Sequence, residues 1–374
     1  MLGFFTYILI FSFISPCFCT RLNVGTNNAF ISVMQFGARG DGIADDTQAF
    51  ASAWDSACKA AGMSTLVIPT GRSFRVTKIN FSGPCKAKIN IQLEGKIVAP
   101  SKGAWKLDGT YWISIQNVNG LTLDGNGKGG IDGYGSTWWQ CPSCKRPKVL
   151  FFHACNDLIV RNLGISNSPQ SHVSVNMCNR ATFSHISINA PATSPNTDGF
   201  DISDSTNILI QDSNIKSGDD CIAVNGGSSF INATRVTCGP GHGISVGSLG
   251  RNGQLDTVSD VHVLNCTFIG TSNGARIKTV PGGSGYAKRI TFDQIILQNV
   301  KNPIIIDQNY NGVEDEATNV QVSFVTYRGF RGTSAGDVAI NLVCGPLLGK
   351  TSSACRNAHG IARNTIPNVP CLMK

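Results

Sequence analysis

The chain has 374 residues, 31 Lys and Arg against 23 Asp and Glu, a formal net charge of +8 at pH 7, and 41 % hydrophobic residues. That is long enough for a sizeable core, and length alone allows two or three domains. The basic surplus suits a polyanionic partner, but the cations are dispersed apart from Lys145-Arg146-Pro147-Lys148 and no nucleic-acid-binding motif accompanies them. An extracellular acidic polysaccharide is the more natural partner, and no nucleic acid is expected.

Residues 1–20 carry no charged side chain, and their apolar run from Phe4 to Ile14 ends at Ser15-Pro16 and small residues. This is the pattern of a secretory signal cleaved near Cys19 or Thr20. The run is shorter than the roughly 20 residues of a spanning helix, so no membrane association is expected once the signal is removed. Of 14 cysteines, Cys17 and Cys19 leave with the signal, and the remaining even number points to disulfides in an oxidising compartment. Cys221 and Cys238 are the first candidate pair. The Cys141-Pro-Ser-Cys144 spacing reads as a structural bridge, because no second such pair supplies zinc ligands. Sequons at Asn80, Asn232 and Asn265 are sites for glycans.

Phe36-Gly-Ala-Arg-Gly-Asp-Gly precedes Asp45-Asp46, after which Ala49, Phe50, Ala53, Trp54 and Cys58 form a helical apolar stripe. The spacing predicts a helix capped by Asp45 or Asp46 and closing the end of the fold. A calcium or catalytic site at this acidic pair is the lesser reading.

Beyond the helix the pattern changes to short strands. Leu158-Ile-Val, His185-Ile-Ser-Ile, Ile208-Leu-Ile, Val261-His-Val and Arg289-Ile-Thr-Phe alternate or run apolar between Asn, Asp, Gly and Ser. A sandwich is one solution. The spacing of roughly 20 to 25 residues between comparable units suits a solenoid of parallel coils better. Val, Ile, Leu and Phe then fill the core, Asn-rich turns stack at the corners, and His153, His172, His185 and His262 read as structural. With no Pro- or Ser-rich tract to divide it, residues 21–374 read as a single domain.

Asp198, Asp220 and His242 recur at an interval of 22 residues. In a solenoid that interval stacks them in one column about 4.8 Å apart, with Asp219 beside Asp220. Adjacent residues of a strand face opposite sides, so both aspartates reach one cleft only if the strand is interrupted, and Gly218 supplies permissive backbone for that. Two carboxylates about 4.8 Å apart repel by roughly 3.5 kcal/mol at an effective dielectric near 20, which holds at least one proton on the cluster into mildly acidic pH. Arg276 and Lys278, at i and i+2 on a strand, project to one face, where they suit an anionic carboxylate or a solvated basic edge.

Taken in order, N-T-D at 196–198, G-D-D at 218–220, G-H-G at 241–243 and R-I-K at 276–278 resemble the four active-site motifs of the polygalacturonase family, glycoside hydrolase family 28. F-G-A-R-G-D-G near the N-terminus, S-T-W-W at 136–139 and D-Q-N-Y at 307–310 extend the resemblance over most of the mature chain and toward its plant branch. It implies an all-β, right-handed parallel β-helix with an N-terminal capping helix that hydrolyses α-1,4-galacturonan with inversion. Asp219 is then the general acid, Asp198 and Asp220 hold and deprotonate water, and His242 belongs to the same site. Asn196, Arg276, Lys278 and Tyr310 become substrate-binding residues, with no metal or cofactor. The resemblance further implies a secreted enzyme of the plant cell wall acting on pectin, for which a monomer is the expected state. Val280-Pro281 and Asn311 depart from the plant pattern and leave endo and exo action open. A calcium-dependent pectate-lyase-like enzyme, a silent wall-binding protein and a rhamnogalacturonan hydrolase are the rivals. The four motifs, the intact aspartates, and Arg276 with Lys278 speak against each in turn.

Overall fold

The computed structural model describes residues 28–105, 110–141, 143–311, 320–343, 360–363, 365, 366, 369 and 372. The expected signal segment, with Cys17 and Cys19, lies outside them, as do Cys344, Cys355 and Cys371. The chain winds as a parallel β-helix. Among the described residues, one sheet stacks ten strands in chain order, from Ile79–Ser82 to Ile340–Val343, and further strands form a second parallel network behind it. All five segments read as strands lie in strands, namely Asn156–Ser166, Asn179–Asn189, Thr206–Gln211, Leu255–Leu264 and Ser284–Asp293.

Parallel register stacks equivalent residues of successive coils, and alternation along each strand separates core from surface. In the ten-strand sheet one inward column runs Phe81, Ile115, Phe152, Val175, Ile202, Val224, Val246, Ile277, Ile306 and Leu342, all buried. Its outward neighbours include Ser174, Asp201, Ala223, Ser245 and Arg276. The face that carries chemistry is therefore built from positions one residue away from the core.

The corners differ from the expected asparagine ladder. Asn207 donates to Asn179 at 2.9 Å, but the left-handed residues Asp157 and Arg180 of consecutive coils form a two-pronged ion pair, and Asp260 and Arg289 form another. A left-handed turn tolerates Asp as well as Asn, and a guanidinium one coil away supplies the cross-coil bonds that a second amide would make.

The N-terminal helix Thr47–Lys59 buries Ala49, Phe50, Ala53, Trp54 and Ala57. It lies along the first strand of the ten-strand sheet: the Trp54 ring is 4.8 Å from that of Phe81, and its indole N–H donates to the Ser82 carbonyl at 3.1 Å. A Cys58–Cys85 disulfide fastens its end. Of the two expected capping residues, Asp45 does the capping. Asp46 occupies the capping position but makes no cap bond, because its carboxylate accepts the Arg39 and Gly40 N–H groups at 2.7 and 3.1 Å. Asp45 accepts the Thr47 N–H at 3.0 Å instead. The acidic pair thus ties down the helix entry and the preceding glycine-rich loop.

Cys221–Cys238 and Cys141–Cys144 are bridged, as their spacing suggested. Cys155, Cys178 and Cys266 are free and buried in the core. No described helix is long and apolar enough to cross a membrane.

Candidate active site

Asp198, Asp220 and His242 each stand two residues before the register-matched Phe200, Ile222 and Ile244. The interval in the sequence is therefore the length of one coil, and the ladder bonds Gly199 N to Asp220 O and Cys221 N to Gly243 O, both 2.8 Å, tie the three levels together. Asp219 and Asp220 lie in a bend between the strands Asn214–Lys216 and Ile222–Val224, the interruption that adjacent carboxylates require. Gly218 is needed there for a different reason from the one expected. Its φ is not left-handed, but a Cβ would stand 2.0 Å from the Ser194 carbonyl oxygen. The bend is pressed against the loop that carries Asp198. Thr197 fixes that contact by donating to Ser194 O at 3.0 Å and accepting from Gly218 N at 2.9 Å.

Asp220 is almost closed to solvent. Its Oδ1 accepts from Ser245 Oγ at 2.8 Å and Arg276 Nη2 at 2.5 Å, and its Oδ2 from Lys278 Nζ at 2.8 Å. The two cations project to one side of the strand Asn273–Thr279, as their spacing required. They are themselves nearly buried, with 10 % and 8 % side-chain exposure, and both meet Asp220. Arg276 Nε also donates to Ser245 Oγ at 2.8 Å, which fixes the hydroxyl as a donor toward Asp220. Tyr310 places its ring centroid 5.2 Å from Lys278 Nζ.

Asp219 meets His242, Nδ1 to Oδ1 at 2.9 Å, and its Oδ1 also accepts the Asp220 N–H at 2.8 Å. Burial raises its pKa, but the His242 bond and charge, the Asp220 N–H and the Lys278 charge outweigh burial and hold it below the usual aspartate value. Asp198 behaves oppositely. Burial, then the charges of Asp201, Asp219 and Asp220, push it well above the usual value against the weaker pull of Lys278. Of the crowded carboxylates, Asp198 is the one whose burial and acidic neighbours favour the protonated form most.

Asn196 directs its amide nitrogen toward Asp219 Oδ2 at 3.5 Å, so its neighbour is Asp219 rather than Asp198. The site also contains residues to which the sequence assigned no role in it. Ser245 and Thr197 hold carboxylate and bend. Lys148 reaches Asp201 at 3.4 Å, and Arg146 is buried beside Asn196. The signal for Arg146 and Lys148 was their basic tract, which reads equally well as solvated surface. His172, read as structural, is fully buried. Its Nε2 accepts the Ser168 N–H at 3.4 Å, so Nδ1 donates to the Asp198 carbonyl at 3.0 Å. Burial lowers its pKa to about 4 and keeps it neutral.

Ligand-capable atoms of Asp219, Asp220 and His242 lie within 4.8 Å of one another. Both Asp220 oxygens are engaged by cations, so a divalent ion at this cluster has to displace Arg276 or Lys278. The donor set fits proton transfer better than metal coordination.

Stacked parallel coils with three clustered carboxylates and an imidazole on one outer face define a β-helical carbohydrate-cleaving enzyme. Residues 58–359 match the family described as glycosyl hydrolases family 28, and the chain belongs to that family. A probable polygalacturonase of Arabidopsis thaliana is 43 % identical over 94 % of this chain and 82 % of its own length. A polygalacturonase of Malus domestica is 44 % identical over 84 % of this chain and 70 % of its own. Among solved structures, an endo-xylogalacturonan hydrolase from Aspergillus tubingensis superposes with a TM-score of 0.76 at 26 % identity, covering 88 % of this chain and 100 % of that one.

Proposed function

We propose that this enzyme hydrolyses α-1,4-galacturonosyl linkages of pectic homogalacturonan. Asp219 protonates the leaving oxygen, and Asp198 and Asp220 hold and deprotonate the attacking water. The observation that carries this reading is the pairing of a partly open Asp219 with an Asp220 clamped at both oxygens, in a cluster where burial and acidic neighbours raise the pKa of Asp198. The substrate class follows the polygalacturonases to which the chain is similar.

The shared proton has to reach Asp219 before bond cleavage. Asp219 is the more open carboxylate, with 18 % side-chain exposure against 1 % for Asp220. A sugar covering it removes its remaining water and raises its proton affinity, which draws the proton from Asp198. As the C–O bond breaks, that proton passes to the leaving oxygen. Water adds to the anomeric carbon and gives up its proton to the Asp198–Asp220 side of the cluster. Arg276 and Lys278 hold Asp220 in place, and Tyr310 covers the Lys278 head.

A retaining pathway, in which a carboxylate attacks the anomeric carbon directly, is the second stereochemical reading. A retaining nucleophile needs a free oxygen, whereas Asp220 has both engaged. Inversion with water held between Asp198 and Asp220 is the reading proposed. Proton NMR of the first product decides: the β-anomer from an α-linked oligomer supports inversion, and the α-anomer overturns it. Sizing products from a defined galacturonate oligomer separates early monomer release from internal cleavage, and absence of saturated products overturns hydrolysis.

We further propose that the enzyme is secreted into the cell wall and works as a monomer. Three disulfides among the described residues and the exposed positions of Asn80, Asn232 and Asn265 support export.

A further inference from the structure

Arg146 is a buried cation that the reaction scheme above does not use. Only 8 % of it is exposed, yet no carboxylate among the described residues pairs with it. The other buried cations, Arg276 and Lys278, share Asp220. Removing a guanidinium from water without a counter-ion is costly, so its two neutral acceptors must matter to the fold or to the chemistry. Both belong to the segment entering Asp198: Nη1 donates to the Pro195 carbonyl and Nη2 to Asn196 Oδ1, each at 2.6 Å.

Asn196 is the link to the acid. Its side-chain amide presents a carbonyl at one end and an NH2 group at the other, and a 180° flip exchanges them. Arg146 holds the carbonyl end, which turns the NH2 end to Asp219 Oδ2. Asp219 Oδ1 is already engaged by His242 and the Asp220 N–H, so Oδ2 is the oxygen left to carry a proton into the cleft.

We propose that Arg146 is a positioning residue for the acid step: by pinning the Asn196 amide it presents only hydrogen-bond donors to Asp219 Oδ2. This rests on the assignment of Asp219 as the acid. An amide free to flip offers its carbonyl to a protonated Oδ2 and captures the proton meant for the leaving oxygen. A pinned amide offers N–H, which interacts poorly with the protonated acid and well with the carboxylate left when the proton has gone. Such a contact is stronger in the transition state than in the ground state, and it makes Asp219 a stronger acid.

The test compares Arg146→Met, Arg146→Lys, Asn196→Ala and the Arg146→Met/Asn196→Ala double variant in kcat against pH on a galacturonate oligomer. Loss of the donor raises the Asp219 pKa, so in Arg146→Met the alkaline limb moves upward by roughly half a pH unit or more. Its kcat falls by roughly tenfold or more with KM little changed. Arg146→Lys, which still donates to Asn196 Oδ1, recovers most of both. Asn196→Ala shows the same upward move, and adding Arg146→Met to it moves the limb no further. Should Arg146→Met not be recovered folded, Asn196→Ala alone must carry the shift. A lowered Tm with an unmoved limb in either single variant, or shifts that add in the double variant, overturns the proposal. Asp219→Asn, run in parallel, separates the layers. Near-wild-type turnover removes the acid assignment and the role of Arg146 with it, whereas an inactive Asp219→Asn beside an unmoved limb in Arg146→Met overturns Arg146 alone.

Discussion

Lys278 reaches back two coils to Asp220, Nζ to Oδ2 at 2.8 Å, through the level occupied by Ser245. The ammonium expected to read a substrate carboxylate is already engaged by a carboxylate of the enzyme. With Arg276 on the other oxygen, the strand Asn273–Thr279 sets the position of Asp220 before any sugar arrives.

Lys278→Ala should therefore lower stability as well as rate. Removing one partner of a buried ion pair costs about 3–5 kcal/mol, and Arg276 retains part of this for Asp220. Urea unfolding should show a loss toward the lower end of that range. Because the clamp forms without substrate, kcat/KM should fall on de-esterified and methyl-esterified oligomers alike. A loss confined to the de-esterified substrate would restore Lys278 to direct recognition of the sugar carboxylate.

Asp219→Asn should abolish turnover of the polymer while leaving the fold intact, since an amide accepts from His242 and the Asp220 N–H but delivers no proton. General acid catalysis is worth on the order of 10² to 10⁴ in rate. A galacturonoside with a nitrophenol leaving group needs little protonation, so Asp219→Asn should keep most activity on it, whereas Asp198→Asn should not. Rescue of Asp198→Asn instead would exchange the roles and make the proton-bearing Asp198 the acid.

Two buried groups set opposite pH trends in stability. Asp198 has a raised pKa, so between the ordinary aspartate value of 3.8 and its folded value the native state binds more protons, and stability falls as pH rises. His172 has a pKa of about 4 against 6.5 in the open, so stability falls as pH drops from 6.5 to about 4, by about 3 kcal/mol in all. Denaturant melts across this range should lose the acid-side slope in His172→Asn, and Asp198→Asn should gain on the wild type as pH rises. Parallel curves for wild type and His172→Asn would remove the histidine from the linkage.

Gly218→Ala should damage the site through the backbone. The added methyl would meet the Ser194 carbonyl at 2.0 Å, and overpacking of this kind costs about 1–3 kcal/mol. Gly103→Ala, where nothing lies within 4 Å and the backbone is not left-handed, serves as the neutral comparison. Activity lost in Gly218→Ala at unchanged Tm, or equal effects of the two substitutions, would contradict this account.

The coil length was legible because Asp198, Asp220 and His242 repeat it directly, and the strands were legible because apolar residues must alternate to fill a stacked core. The common face of Arg276 and Lys278 followed from strand geometry alone. Their partner did not, since 56 and 58 residues separate them from Asp220 and only the winding of the chain brings the three together. Arg146 was hidden in the same way, 50 residues from Asn196 in a tract that looks solvated. Asp46 had the chemistry of a helix cap, but the N–H groups of Arg39 and Gly40, delivered by the loop before it, claimed its carboxylate.

The Cys58–Cys85 bridge has its main consequence away from catalysis. A stack of parallel strands ends in a row of unpaired backbone groups, to which the last coil of another molecule can be added. The helix Thr47–Lys59 occupies that row, and the Trp54 indole takes one of its carbonyls, at Ser82. The disulfide keeps this plug from lifting off. Reduction would release the end of the helix from this row and leave its backbone groups open to pairing.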